Sequence, residues 1–423
     1  MRPVRWRSAV ITPFGIADRG PSAAALAWLT TDEGEALLAA ARALPPDRLT
    51  RISRLRRLAP SQEIAAAAVA LLELRERARS RFADAAAMLF TAEGLEQATG
   101  DRIAAYRAGR YPAGAAILDA CCGIGGDARQ LALRGPVLAV DRDPAAALCA
   151  AFNGRAKVVC ADTMALSLER LAARGVRFAL FDPSRRTTAP DGTRRRVRSG
   201  DDYSPALSWM EALKEWFEGV SVKVSPAIDD AALAASAADV EFISDRGECK
   251  EAVLWLGALA RPLAAPHSAG EPYYATVLGA GGEPHTLAPL PAGPAPCSEI
   301  RSVLYEPDAA VIRAHRVPQL AELLSASRLD PDSPFLTADR HVQTPFAAAF
   351  RVIDALPFQE RNVQRRLRAL GARVEAVKKR GVPYEPAAVQ RALDPSGDRA
   401  VVLILMRLAG RVMAILCERF ERA

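Results

Sequence analysis

The nine residues from Asp119 to Asp127 place an acid, two cysteines and three glycines directly after an apolar run. Their order is Asp-Ala-Cys-Cys-Gly-Ile-Gly-Gly-Asp. Residues 115–118 before them predict a short buried strand, and residues 128–133 after them predict the opening of a helix. Glycines at such a junction allow a sharp turn and leave bare backbone against a ligand. The segment therefore predicts a phosphate- or adenosine-binding loop.

Three more aspartates close apolar runs at similar intervals. Asp141, Asp162 and Asp182 follow Asp119 in steps of 22, 21 and 20 residues. Each step matches one strand and one helix, and the carboxyl ends of parallel strands face a shared ligand crevice. We therefore expect four carboxylates around one pocket. A dinucleotide-binding Rossmann dehydrogenase is the alternative, but Asp119 would repel its pyrophosphate and suits a cationic ligand instead.

These residues resemble the class I S-adenosylmethionine-dependent methyltransferases. The resemblance implies S-adenosylmethionine as the cofactor, with Asp119 near its ammonium group and the backbone of Gly123 and Gly125 beneath it. It also implies that Asp141 binds the ribose hydroxyls and that Asp162 lies by the adenine. Carboxylates form strong charge-assisted bonds with ammonium groups and accept hydrogen bonds from vicinal hydroxyls.

The two cysteines of this loop depart from the common pattern, in which glycine stands at the position of Cys121. The sequence Cys-Cys-Gly-x-Gly-Gly is similar to the loop of trimethylguanosine synthases and of a bacterial group with a THUMP-like C-terminal domain. We expect Cys121 to contact the cofactor as a small packing residue, because the loop is acidic and a reactive thiol needs a positive setting. Seven cysteines and four histidines without metal-ligand spacing predict neither disulfides nor a metal site.

The resemblance to class I methyltransferases implies that the strand ending at Asp182 delivers the methyl acceptor, which makes Asp182 and Pro183 the candidate catalytic residues. Base N-methyltransferases commonly carry Asp/Asn-Pro-Pro-aromatic here, and Ser184 and Arg185 break that pattern. Without a cysteine after Pro183, methylation of a pyrimidine carbon is discounted. Transfer to nitrogen or oxygen needs only positioning and a place for the proton, which Asp182 could supply. Its alternative role is to cap the turn.

Several other side chains could complete the acceptor site. Tyr203 or Trp209 could replace the missing aromatic residue, or could belong to the core. Arg185 and Arg186 begin an arginine-rich segment that could bind substrate phosphates or form a solvated loop. Lys223 stands in an apolar strand and could reach the pocket, or could extend to solvent at the strand's edge.

The net charge of +7 is concentrated at the carboxyl end of the chain. From residue 351 onward there are fifteen Lys/Arg and eight Asp/Glu, and the remaining residues balance at 41 each. A basic module on a neutral enzyme is typical of polyanion binding, although arginine-rich composition can produce such counts without function. The predicted phosphate-binding residues here are Arg365, Arg366, Lys378, Lys379 and Arg380.

The expected fold class is α/β, with a Rossmann-like seven-stranded methyltransferase sheet. We predict a helical amino-terminal cap over residues 1–112, a methyltransferase domain over 113–262, a linker and hairpin over 263–330, and a basic α+β THUMP-like domain over 331–423. The match of Leu95-Glu-Gln-Ala-Thr99, Tyr305–Arg313 and Lys378-Lys-Arg-Gly381 to the THUMP-like group supports this division. No apolar run approaches membrane-spanning length and no signal peptide is recognised, so a cytoplasmic location is expected.

The resemblance to THUMP domains, which bind RNA, implies an RNA methyltransferase acting on nitrogen or oxygen. A small-molecule methyltransferase with a dimerising carboxyl-terminal module is one alternative. Another is an RNA-binding protein whose S-adenosylmethionine site is not catalytic, suggested by the missing aromatic residue after Pro183.

Overall fold

The computed structural model describes residues 21–185, 203–236, 238–261, 273–290, 292–393 and 397–420. The chain divides into two compact units, residues 1–240 with 251–265 and residues 241–250 with 266–423. Helices and alternating strands make up the described part of the first unit, and a mainly antiparallel sheet dominates the second.

Helices occupy the described residues before the first strand, as the apolar periodicity predicts. They are α1 (Ala23–Trp28), α2 (Asp32–Arg42), α3 (Arg48–Leu55), α4 (Gln62–Ala78), α5 (Ala92–Gln97) and α6 (Asp101–Ala108). Thr31 and Ser61 cap α2 and α4 by accepting backbone N–H groups that would otherwise lack partners. Fully buried leucines and alanines such as Leu71 and Ala68 fill the core between these helices.

Strands and helices alternate through the rest of the first unit. They are β1 (Ala116–Ala120), α7 (Gly126–Leu131), β2 (Val137–Asp141), α8 (Pro144–Asn153), β3 (Lys157–Cys160), α9 (Leu168–Ala173), β4 (Val176–Phe181), β5 (Ser184–Arg185), β6 (Tyr203–Ser204), α10 (Trp209–Trp216), β7 (Gly219–Val224), α11 (Asp230–Ala234), β8 (Asp239–Asp245) and β9 (Glu248–Gly257). All seven predicted strands are therefore formed. The strand β8 begins in the first unit and continues into the second.

The strand order in the first unit runs β3-β2-β1-β4-β7-β9. The first five of these strands are parallel, with Asp119 of β1 opposite Ala139 and Leu180 of its two neighbours. β9 runs antiparallel to β7 and places Val253 opposite Lys223. Because the carboxyl ends of the parallel strands meet at one edge, the aspartates that close β1, β2 and β4 come together there.

The second unit contains the hairpin and α+β elements predicted from its sequence, with additional strands. They are β10 (Tyr273–Leu278), β11 (Pro284–Leu287), β12 (Val303–Pro307), α12 (Ala309–Arg313), α13 (Val317–Leu324), β13 (Ser327–Arg328), β14 (Leu336–Ala338), β15 (Ala347–Pro357), α14 (Glu360–Ala369), β16 (Ala372–Arg380), α15 (Pro386–Ala392), β17 (Arg399–Leu408) and β18 (Arg411–Arg419). The last two strands form the antiparallel pair β17–β18, joined by a short turn at Ala409 and Gly410.

The second unit's large sheet has the order β13-β14-β12-β15-β18-β17-β16. β16 is parallel to β17, while the other five neighbouring pairs in this sheet are antiparallel. One face packs against α14 and α15 through residues such as Val363 and Val389, and the other face carries a separate apolar cluster around Phe350. Strand alternation explains the two clusters, because successive side chains point to opposite faces.

Candidate functional site

Asp119 is a buried charged residue at the end of β1. Its side chain is 1% exposed, and neither carboxylate oxygen has a hydrogen-bond partner among the described residues. Burial, with repulsion from Asp127 and Asp182, raises the pKa of the Asp119 carboxyl well above its usual value. A buried carboxylate without a partner is costly unless a ligand supplies the missing donor or cation. Asp119 therefore lies where an ammonium group would stabilise it.

The loop after β1 reverses the chain with three residues in the left-handed region. Cys121 has φ 65°, Gly123 has φ 54° and Gly125 has φ 83°. A Cβ on Gly125 would lie 2.9 Å from the Cα of Ala150, whereas a Cβ on Gly123 would meet nothing within 4 Å. Gly125 is therefore required by packing. The space beside Gly123 is open, and the presence of the cofactor there stays a prediction.

Asp141 connects the end of β2 to this loop. Its Oδ2 accepts a hydrogen bond of 2.8 Å from the Gly123 amide, and its Oδ1 accepts one of 2.9 Å from the Asp143 amide. Burial raises the pKa of the Asp141 carboxyl, and these two amides oppose the shift. The two bonds fix the carboxylate beside the glycine loop, which is the placement expected for a residue that binds ribose hydroxyls.

Asp162 lies at the next position along the edge, after β3. Its side chain is exposed, and its Oδ1 caps a short helical turn by accepting 2.9 Å from the Met164 amide. Thr163 of that turn is 3.6 Å from the sulfur of Cys121, so the turn contacts the glycine loop. A contact between Asp162 and adenine stays a prediction.

The two cysteines of the loop lack the lowered pKa of reactive thiols. Burial raises the pKa of the Cys121 thiol to about 12, although its hydrogen bond with Thr163 opposes the shift. Burial also raises the pKa of Cys122 well above its usual value. Thiols that stay protonated are poor nucleophiles, which agrees with a packing role.

Asp182 closes β4, and Pro183 after it is buried. The Asp182 carboxylate forms an ion pair with Lys223, whose Nζ lies 2.6 Å from Oδ2. The Asp182 side chain is 27% exposed and that of Lys223 is 14% exposed. Lys223 thus reaches the pocket edge from β7, which was one of the two roles considered for it.

A buried ionic cluster beneath this edge was not identified from the sequence. The guanidinium of Arg107, 1% exposed, donates to Asp127 at 2.6 Å and to Thr99 at 3.0 Å, and lies 3.2 Å from Glu251. Burial disfavours the charge on Arg107, but Asp127 and Glu251 outweigh it and raise the pKa. Burial raises the pKa of Glu251 to about 7, against the attraction of Arg107 and Lys223. The sequence feature that could have indicated this cluster was Asp127, the acid directly after Gly126.

The two aromatic candidates for the acceptor pocket contact other residues of the first unit, and Tyr203 is buried while Trp209 is half-buried. Tyr203 is 1% exposed, and its hydroxyl accepts a hydrogen bond of 2.8 Å from the Ser225 amide. Trp209 packs edge-on against Phe181, with ring centroids 5.1 Å apart. These contacts favour the core role that was the alternative for both residues.

The predicted arginines after Pro183 are only partly described. The backbone of Arg185 lies in β5 and pairs with Tyr203 of β6. Arg186 and the arginines of residues 194–198 lie outside the described residues. Their role in binding phosphates stays a prediction.

The five predicted phosphate-binding residues of the second unit fall into two groups. Arg365, Lys379 and Arg380 are exposed. The other two are half-buried and paired: the guanidinium of Arg366 lies 2.6 Å from Asp354, and Lys378 forms an ion pair with Glu306. The exposed group is therefore available to a ligand without breaking an ion pair.

Metal-ligating clusters and membrane-spanning helices are both absent from the described residues. No group of three His, Cys, Asp or Glu side chains among them is placed to hold a metal ion. None of their helices is long and apolar enough to cross a bilayer.

Comparisons with known proteins identify the family. A family model described as THUMP domain-like matches residues 347–419, and a domain of unknown function (DUF8688) matches residues 22–78. An uncharacterized S-adenosylmethionine-dependent methyltransferase of Mycobacterium tuberculosis is 31% identical over 346 residues, which are 78% of this chain and 88% of that protein. The chain belongs to the S-adenosylmethionine-dependent methyltransferases.

A solved structure supports the fold of this methyltransferase. The crystal structure of a putative methyltransferase from Porphyromonas gingivalis W83 matches 92% of this chain and 100% of its own, with a TM-score of 0.71 and 19% identity. The Rossmann-like methyltransferase fold and the THUMP-like carboxyl-terminal module are therefore confirmed.

S-adenosylmethionine is the cofactor of this family, and the first unit fits it. The unpartnered, buried oxygens of Asp119 suit its ammonium group, and the open space beside Gly123 leaves room along the backbone. The resemblance's assignments of individual residues stay predictions.

Proposed function

We propose that this methyltransferase acts on RNA, transferring a methyl group to nitrogen or oxygen. The main supporting observation is the concentration of charge: the THUMP-like residues 347–419 lie in the part of the chain that carries the whole net charge of +7. Arg365, Lys379 and Arg380 are exposed there. Clustered cations on one module bind phosphates in a sequence-independent way.

The chemistry requires little from the protein besides positioning. When bound, S-adenosylmethionine supplies an electrophilic methyl group, which is bonded to its positively charged sulfonium sulfur. Asp119 would hold the cofactor's ammonium group, and Asp141 would hold its ribose. Asp182 and Pro183 would orient the acceptor, and the Asp182 carboxylate would take its proton. The sequence after Pro183 offers serine and arginine rather than cysteine, so no covalent thiol adduct is proposed.

Mass spectrometry of nucleosides tests the proposal. RNA from cells in which the gene for this chain is deleted should lack one methylated nucleoside. The wild-type gene should restore it, and a gene encoding Asp119→Asn should not. An unchanged set of methylated nucleosides would contradict an RNA substrate and favour a small-molecule acceptor.

A further inference from the structure

Lys223 is placed as a hydrogen-bond donor at the acceptor edge. Its neighbours in β7, Val222 and Val224, are buried, whereas its own side chain reaches Asp182. Nζ lies 2.6 Å from Asp182 Oδ2 and 3.4 Å from the carbonyl oxygen of Gln97. An ammonium group has three N–H donors, so these two contacts leave one for a third partner.

The same contact favours one kind of methyl acceptor. An exocyclic amine could donate to Asp182 Oδ1, but its nitrogen lone pair is delocalised into the ring and is a poor acceptor for the Lys223 ammonium group beside Oδ2. Stacking would normally hold the base, yet Tyr203 and Trp209 are engaged in internal contacts. Among the described residues, the acceptor edge thus offers the Lys223 ammonium group beside a free oxygen of the Asp182 carboxylate. This pair matches a hydroxyl, which needs a donor at its oxygen and an acceptor for its proton.

The buried residues Arg107 and Glu251 act electrostatically on this pair. Glu251 attracts Lys223, and Arg107 attracts Asp182, through the partly dehydrated interior. Charges in such surroundings interact more strongly than in water. Glu251 also repels Asp182, so the cluster places charges of both signs beside the pair.

We propose that Lys223 and Asp182 are a catalytic pair that methylates the ribose 2′-hydroxyl of RNA. The inference rests on RNA as the substrate, because the 2′-hydroxyl is the free hydroxyl of an internal nucleotide and is what distinguishes RNA from DNA. It adds the acceptor atom and a catalytic lysine to the proposed function.

The step balances with the groups present. The 2′-oxygen forms a bond to the donated methyl carbon while the carbon–sulfur bond breaks, and its electron pair stays on sulfur. The hydroxyl proton passes to Asp182 Oδ1, and Lys223 donates a hydrogen bond to the oxygen as its negative charge develops. The products are a methyl ether, a neutral thioether and a protonated Asp182, which returns its proton to water.

The acceptor atom is tested with the purified full-length protein, S-adenosylmethionine carrying a labelled methyl group, and RNA from cells lacking the gene. A 2′-O-methyl group blocks attack on the adjacent phosphate, so the label should appear in alkali-resistant dinucleotides. Label in a base-methylated nucleoside would overturn the inference and leave the RNA proposal standing. RNA that takes up no label would overturn the RNA proposal, and the inference with it.

The lysine is tested by Lys223→Met, with Lys214→Met as the control. Lys214 is an exposed residue of the same unit that pairs with Glu211. Lys223→Met should lower kcat about 100-fold or more and leave KM for RNA nearly unchanged. Calorimetric affinity for S-adenosylmethionine should also stay near wild type, and Lys214→Met should behave as wild type throughout. Wild-type kcat in Lys223→Met would overturn the inference.

A second substitution guards against loss of folding. Lys223→Arg keeps the charge and the donors, so it should retain more activity than Lys223→Met while binding the cofactor normally. Equal kcat in Lys223→Arg and Lys223→Met, with both variants folded, would show that a cation at this position does not assist transfer.

Discussion

A carboxylate as deeply buried as Asp119 normally has hydrogen-bond partners, because an unpaired charge in a protein interior is strongly unfavourable. Asp119 has none among the described residues. The cofactor-free protein therefore carries an energetic penalty at this position. A ligand ammonium group would remove it, so part of the affinity for the cofactor comes from relieving this penalty.

Asp119→Asn separates cofactor binding from folding. The variant should bind S-adenosylmethionine about ten- to a hundredfold more weakly, because a charged hydrogen bond contributes about 1.5–3 kcal/mol. The free energy of unfolding without cofactor should stay equal or rise, since a neutral amide is easier to bury. Calorimetric titration and urea unfolding measure the two quantities.

Asp143→Asn is the matched control. Asp143 lies nearby at the start of α8 and caps it through a 3.0 Å bond from the Ala145 amide, a role that asparagine fills equally well. Cofactor affinity should be unchanged in this variant. Equal affinities in the Asp119 and Asp143 variants would refute the ammonium assignment.

Glu251 should make stability depend on pH near neutrality. Burial raises its pKa from an ordinary 4.5 to about 7, so the folded protein binds this proton more tightly than the unfolded chain. The tighter binding of this proton in the folded protein therefore contributes its whole stabilisation below about pH 4.5. This contribution is lost as pH rises through about 7.

Glu251→Gln removes this titration. Between pH 5 and pH 8 the unfolding free energy of the wild type should fall relative to the variant by up to about 3 kcal/mol. Urea unfolding at several pH values measures the difference. Parallel pH profiles for the two proteins would show that Glu251 does not titrate in this range.

At the scale of elements, the loop from β1 to α7 contains two left-handed glycines with different surroundings. Gly125→Ala would place a Cβ against the backbone of Ala150 and should lower the free energy of unfolding by about 2 kcal/mol or more. Gly123→Ala meets open space, so it should reduce stability less, by about 1 kcal/mol. Its main effect should be on cofactor affinity, because the added methyl enters the expected ligand space.

Each glycine variant is the control for the other. Urea unfolding should show a larger loss of unfolding free energy for Gly125→Ala. Calorimetric titration should show that Gly123→Ala loses more cofactor affinity than its smaller loss of stability would suggest. The reverse ranking would mean that the open side of Gly123 does not face the cofactor.

The elements predicted best were those with a strong local pattern. Apolar runs that end in aspartate located β1, β2 and β4, and the break into glycines located the turn before α7. β15 was missed, because its opening Ala-Ala-Ala-Phe lacks the β-branched residues and the alternation that mark a strand.

The candidate site was predicted less completely than the fold. The aspartates at strand ends followed from topology, since parallel strands bring their carboxyl ends together. The cluster of Arg107, Asp127 and Glu251 joins residues from α6, α7 and β9, and sequence spacing does not show which charged side chains meet in a core. Helical periodicity places Arg107 on the same face as the buried Ile103 and Ala104, but its charge alone would predict exposure to solvent.

At the scale of the whole molecule, the positive charge belongs to the THUMP-like module, and RNA affinity should therefore depend on salt. Replacing the exposed Arg365, Lys379 and Arg380 by alanine removes three potential phosphate contacts. The slope of log K against log salt should become shallower by about 2, at roughly 0.7 per contact for single-stranded RNA. Fluorescence anisotropy with RNA from cells lacking the gene, at several salt concentrations, measures the slope.

Lys214→Ala in the first unit controls for the general loss of positive charge. It should leave the slope close to that of the wild type. A triple variant with the wild-type slope would remove these three residues from the RNA-binding surface.

β16 is the last strand of its sheet, so one of its two edges has no neighbouring strand in that sheet. Outer strands present unpaired backbone groups to which other chains can add, and charged side chains discourage such addition. The amide of Gln390 covers the carbonyls of Val374 and Glu375 at 3.1 Å each, while Lys379 and Arg380 stand near the far end. Removing these cations should therefore favour self-association, which light scattering would reveal.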